Sequence, residues 1–210
     1  MTKLRTISIP NGMFEENCYL LADEGSADAV IVDPGEEAPR FLERAAREGL
    51  VIREIWLTHG HLDHIAGVGA VKGATGAPVW LHPADRPVYD MLEEQARWFG
   101  LDFPPAPPPD HDLVHGGTMK LGSIEFAVRH TPGHSPGSVC FVAPGIVIGG
   151  DVLFQGSVGR TDLPGGNADQ LLTSITTELL SLPDNTTVLP GHGPATTIGA
   201  ERRTNPFLSR

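Results

Sequence analysis

Thr58-His59-Gly60-His61-Leu62-Asp63-His64 places four potential metal ligands within six positions, directly after an apolar run at residues 52–58 that has the composition of a strand. His59 and His61 are two apart, so on a chain that is still extended they face the same way. Asp63 and His64 fall where the chain turns towards the next helix. One loop thereby offers two neighbouring metal positions.

Three further candidates also end apolar runs: His134 in His130-Thr131-Pro132-Gly133-His134-Ser135, Asp151 in Gly149-Gly150-Asp151, and His192 in Pro190-Gly191-His192-Gly193. Each has a neighbouring glycine. Imidazoles and carboxylates without thiolates suit Zn²⁺, Fe or Mn²⁺. Strand ends are rigid, and ligands placed there can keep a coordination position open for water or substrate. The remaining histidines His82, His111, His115 and His130 have no partner at ligand spacing and read as surface or strand-end residues.

Around these motifs the pattern alternates short strands with helices. Apolar runs at 18–22 and 29–32 are separated by Asp23-Glu24-Gly25-Ser26, which resembles a hairpin, and the second stops at Asp33-Pro34-Gly35, where Asp33 reads as a turn residue. Apolar spacing predicts helices over 39–49, 65–74, 85–99 and 168–180, the last with Asn167 and Gln170 spaced as a capping box. Strands are expected at 78–82, 124–130, 138–143, 146–149 and 187–189. Pro104-Pro105-Ala106-Pro107-Pro108-Pro109 must be extended, as a stiff connector or as a loop over a site. Mixed elements without a dividing linker predict a layered α/β sandwich in one domain, residues 1–210.

Composition narrows the partners. The 210 residues carry 15 basic and 26 acidic side chains, a net charge of −11, and no basic run, which argues against a nucleic-acid or anionic-membrane surface. No stretch approaches the ~18 apolar residues of a membrane span, and residues 1–8 lack the apolar core of a leader peptide. Cys18 and Cys140, each inside an apolar run, read as core thiols. A soluble, cytoplasmic protein is expected.

THGHLDH, HTPGHS, GGD and PGHG, in this order, resemble the metallo-β-lactamase superfamily. Val32-Asp33-Pro34-Gly35, Gly159-Arg160-Thr161-Asp162 and the tail Glu201-Arg202-Arg203-Thr204-Asn205-Pro206-Phe207 resemble its compact glyoxalase II-like hydrolases. The resemblance implies a four-layer αββα sandwich of two mixed sheets with metals at one edge. It also implies that His59, His61 and His134 hold one divalent ion, most simply zinc, that Asp63, His64 and His192 hold a second, and that Asp151 bridges them. Asp33 would then orient a ligand histidine.

The implied reaction is hydrolysis of a thioester such as S-lactoylglutathione by a hydroxide between the metals, with Asp63 and Asp151 as the catalytic carboxylates. Arg160, which reads either as an ion pair with Asp162 or as part of the substrate side, and Arg202 with Arg203 are the cations available to an anionic thiol. The alternative within the superfamily is a persulfide dioxygenase using one iron on His59, His134 and Asp151. Lactamases of the commonest zinc type carry cysteine where this chain has Asp151 and work outside the cytoplasm, so that activity is not the first expectation.

Overall fold

Alternation along the first strands sends successive side chains to opposite faces. β1 (Leu4–Asn11), β2 (Glu16–Asp23) and β3 (Asp28–Val32) form an antiparallel meander. In β3, Ala29 and Ile31 join one core while Val30 and Val32 join another. The chain continues through α1 (Ala38–Arg47), β4 (Val51–Trp56), α2 (Leu62–Ile65), α3 (Val68–Thr75) and β5 (Val79–Leu81). A 3₁₀ turn at Pro83–Asp85, α4 (Arg86–Tyr89), α5 (Leu92–Trp98) and β6 (His111–Asp112) complete the first half, and β3 to β6 run parallel. This computed structural model describes residues 3–208; Met1 and Thr2, included in the leader reading above, lie outside the described residues.

The second half opens with the antiparallel β7 (Thr118–Leu121), β8 (Ile124–His130), β9 (Val139–Ala143) and β10 (Ile146–Gly150). A short hairpin, β11 (Leu153–Phe154) and β12 (Ser157–Val158), precedes α6 (Ala168–Ser174). β13 (Thr187–Pro190) returns parallel to β10 and is followed by the antiparallel β14 (Thr196–Thr197) and α7 (Ile198–Thr204). Among the described residues, the sheet orders are β1-β2-β3-β4-β5-β6 and β14-β13-β10-β9-β8-β7.

Three cores stack to give the αββα sandwich. Phe41, Ala45, Val68 and Leu92 pack helices on the first sheet; Trp56, Phe126 and Phe141 join the two sheets; Leu171, Ile175, Leu179 and Ile198 cover the second. Trp56 meets Phe126 edge-on with ring centroids 5.3 Å apart, and burying each such side chain contributes roughly 1.5–3 kcal/mol. Cys18 belongs to the first core and Cys140 to the third, both as buried free thiols.

Three expected helices differ from the structure. The one expected over 65–74 is preceded by α2 and begins only at Val68, because Gly67 presses on the loop after β3: a Cβ there would lie 2.3 Å from the Gly35 carbonyl oxygen. The one over 85–99 breaks at Asp90 and Met91, which lets Asp85 and Gln95 reach the same loop. The one over 168–180 widens into a π turn at Ile175–Leu179, closed by Leu180 N–H donating to the Ile175 carbonyl at 2.9 Å. Asn167 caps it by accepting from Gln170 N–H at 3.0 Å, but its own N–H goes to the Gly133 carbonyl, so the box is not reciprocal. The proline-rich segment is a connector, held where the Tyr89 hydroxyl donates to the Pro107 carbonyl.

Candidate metal centre

Five loops converge at one edge of the sandwich, each leaving the C-terminal end of a strand: Asp33 after β3, residues 59–64 after β4, His134 after β8, Asp151 after β10 and His192 after β13. The start of β2 ties the last loop down. Asn17 N–H donates to the Gly191 carbonyl at 2.7 Å, and the Asn17 amide to the Pro190 and Gly193 carbonyls. Gly191 is required there, since a Cβ would fall 2.1 Å from Asp151 Oδ1.

The seven expected donors come together. His134 Nε2 lies 2.8 Å from His61 Nδ1 and 3.1 Å from His59 Nε2. Asp63 Oδ2 lies 3.1 Å from His192 Nε2 and 3.7 Å from His64 Nε2. Each of these triads has its donor atoms within 4.8 Å of one another, a spacing that could hold a metal ion. Asp151 stands between them, with Oδ2 3.6 Å from His134 Nε2 and 3.5 Å from His192 Nε2, and Oδ1 3.4 Å from His64 Nε2.

Outer partners fix the rings by their second nitrogens. His134 Nδ1 donates to the Arg160 carbonyl at 2.8 Å, and His192 Nδ1 to the Phe14 carbonyl at 3.0 Å. Asp33, in the left-handed region at φ 50°, accepts from Thr58 N–H at 2.7 Å and Thr58 Oγ1 at 2.6 Å, and holds His64 Nδ1 at 3.0 Å. It is a turn residue and a ring-orienting carboxylate at once. His64 Nε2 and Asp151 Oδ1 are buried and make no hydrogen bond. Buried polar atoms are normally paired, so two such atoms 3.4 Å apart among seven convergent donors fit divalent cations.

The charges are arranged unevenly. Burial, reinforced by the neighbouring imidazoles, holds His59 well below its ordinary value and brings His61 down to about 3. Burial also opposes a charge on His64, but Asp63 and Asp151 outweigh it and raise its pKa well above the ordinary value. The same imidazole outweighs burial at Asp63 and Asp151 and keeps both carboxyls below their usual range.

A family model described as the metallo-beta-lactamase superfamily matches residues 11–192, a span that contains all seven donors. The chain belongs to that superfamily. Among the superfamily relatives, hydroxyacylglutathione hydrolase GloC of Haemophilus influenzae is 41% identical over 205 residues, covering 96% of each chain. Among solved structures, the BLEG-1 B3 metallo-beta-lactamase is 42% identical with a TM-score of 0.92 over 98% of this chain and 100% of that one. TTHA1623 in a di-iron-bound form is 45% identical with a TM-score of 0.89 over 96% and 100%. The αββα sandwich of the superfamily is thus the fold of this chain.

Above the donors opens a cavity of about 400 Å³ walled by Phe14, Trp98, Phe99, Phe154, Val158 and Leu163. Arg160 also lines it, with its guanidinium bound through two nitrogens to Asp162 at 2.7 Å each. Arg202 and Arg203 do not line this cavity. Both bind Asp184, and Arg202 also donates to the Leu180 and Leu182 carbonyls, so their charges close off the end of the preceding helical segment. None of residues 104–109 reaches the cavity either.

Three supporting side chains carry no metal-ligand spacing, and of them only Glu201, in the family-like tail, lies in a motif that the sequence singled out. Asp85 and Gln95 grip the loop between the first two histidines. Glu201, buried in α7, accepts from Gly156 N–H at 2.8 Å and Asn205 Nδ2 at 2.9 Å, which fastens the β11–β12 hairpin carrying Phe154. The family-like tail is therefore a brace for one cavity wall.

Proposed function

We propose that this protein is a hydrolase that holds two divalent cations, zinc or iron, and cleaves a thioester of the S-2-hydroxyacylglutathione type, such as S-lactoylglutathione. The observation that carries the reading is the pair of three-donor sets facing one carboxylate, Asp151, at the floor of an apolar-walled cavity. Similarity to GloC over nearly the full length supports the thioester class. The di-iron form of TTHA1623 supports iron as an occupant beside zinc.

When bound, such a cation pair supplies a hydroxide nucleophile near neutral pH and polarises the substrate carbonyl. The reaction forms a C–O bond at the carbonyl carbon and breaks the C–S bond, releasing a carboxylic acid and a thiol. His59 and His61, kept neutral by burial, offer free lone pairs without first losing a proton. Asp63 and Asp151, ionised well into acid, contribute the negative charge that the cations need. Phe14, Phe99 and Phe154 exclude bulk water from the acyl group. A thiolate leaves readily, so no dedicated general acid is required.

Hydrolysis of a β-lactam is the second reading, favoured by the likeness to BLEG-1. Elemental analysis of the purified protein, with assays on S-lactoylglutathione, a chromogenic β-lactam and sulfide- or persulfide-dependent oxygen uptake, tests all of them. About two metals per chain with thioester cleavage supports the proposal. β-Lactam cleavage alone replaces it by the second reading, and one iron with oxygen uptake replaces it by the dioxygenase.

A further inference from the structure

Asp85 is a fully buried carboxylate outside both donor sets. Its Oδ2 accepts from Gly60 N–H at 2.7 Å and Ser135 Oγ at 2.8 Å, and its Oδ1 from Gly137 N–H at 2.6 Å. Gly60 stands between His59 and His61, and Ser135 follows His134, so one carboxylate joins the two loops that deliver the first donor set. Gln95 takes the other side of the same peptide region, donating to the Gly60 carbonyl at 3.2 Å and accepting from Leu62 N–H at 2.9 Å.

The fit is close enough to dictate glycine on both loops. A Cβ on Gly137 would lie 2.5 Å from Asp85 N, and one on Gly60 would lie 2.8 Å from Tyr89 N. Burying a carboxylate is costly, and its partners here are two amides and a hydroxyl rather than a cation. Three donors arranged around both oxygens need a group that accepts at both ends. An asparagine in its place would point an NH₂ at either Gly137 N–H or the Gly60 and Ser135 donors.

We propose that Asp85 is a positioning residue for the His59, His61 and His134 set, fixing the distance between the two loops before a metal arrives. The proposal rests on the metal reading above. Second-layer partners of ligand histidines typically change metal affinity by about 10–100-fold, and Asp85 acts on three of them through the neighbouring Gly60, Ser135 and Gly137 rather than on one ring.

The test is metal release from the holoprotein to excess chelator, followed for the wild type, Asp85→Asn, Ser135→Ala and, as a reference for the first set, His59→Ala. Asp85→Asn is expected to release the equivalent that His59→Ala removes about 10–100-fold faster, with the remaining metal released at the wild-type rate. Ser135→Ala, which keeps the carboxylate and two of its three bonds, should fall between, and it carries the test if Asp85→Asn does not fold. A purely structural role would lower thermal stability without this selectivity. Equal acceleration of all bound metal, or none in either variant, overturns the positioning role alone. A wild type that binds no metal overturns the hydrolase reading with it.

Discussion

Asp151 Oδ1 and His64 Nε2 lie 3.4 Å apart, both buried, and neither has a hydrogen-bond partner. Two polar atoms left so in a protein interior mark a place shaped around a third charge. Asp151→Ala is accordingly expected to remove metal and activity together, with kcat/KM falling more than the ~100-fold typical of an outer-layer change. His59→Ala should do the same for the first set. Wild-type turnover at full metal content in either variant would show that the donors are not ligands.

Asp33 acts one layer out, through His64 Nδ1. Asp33→Asn tolerates the left-handed backbone at φ 50°, so its effect reports on the hydrogen bond and not on strain. Affinity for the metal of the Asp63, His64 and His192 set should fall about 10–100-fold, measured by chelator competition.

In the metal-free protein the two donor sets should differ in charge at pH 7. His64, raised by Asp63 and Asp151 against the cost of burial, stays protonated, while His61 stays neutral until the pH falls to about 3. Nitrogen-15 chemical shifts of the imidazoles report this directly. A neutral His64 at pH 7 would mean that the carboxylates do not govern this ring.

Hydrogen bonds from Arg160 bring the exposed Asp162 carboxyl down to about 2 from its ordinary 3.8. A depressed carboxylate contributes stability above its unfolded value and loses it as the pH falls through the folded one, so the contribution fades between pH ~4 and ~2. Carbon-13 titration of Asp162 should show that low midpoint, moving up towards 3.8 in Arg160→Ala.

Glu201→Ala should destabilise the fold by about 1–3 kcal/mol, because it strands the buried donors that the carboxylate satisfies. It should also raise KM more than it lowers kcat, since the hairpin it releases bears Phe154 in the cavity wall. Thermal melts and steady-state kinetics on the same preparation separate the two effects.

The convergence of the candidate donors was legible because ligand chemistry leaves a local mark: histidines and aspartates crowd together, next to glycine, at the ends of apolar runs. The layers were legible from the periods of 2 and 3.6. β1 and β7 went unread although Thr6-Ile7-Ser8-Ile9 and Thr118-Met119-Lys120-Leu121 alternate in burial as edge strands do. Each apolar run there is too diluted by polar residues to stand out. The breaks in the helices expected over 65–74 and 85–99 were hidden for another reason, since both arise where the helix presses on or binds another loop.

By itself, then, the sequence determined the candidate donors, the layered α/β class with most of its central strands, and a net charge of −11, all of which depend on residue type and near-neighbour spacing. Only the tertiary structure decided the distances at which Asp151 faces both triads, that Arg202 and Arg203 turn to Asp184 rather than to the cavity, and that Asp85 ties His59 and His61 to His134. Such relationships join backbone and side chains separated by tens of residues. Whether the partner is a carboxylate, as Asp184 is, or a peptide group, as at Gly60, no local pattern announces it, and packing selects which ones meet.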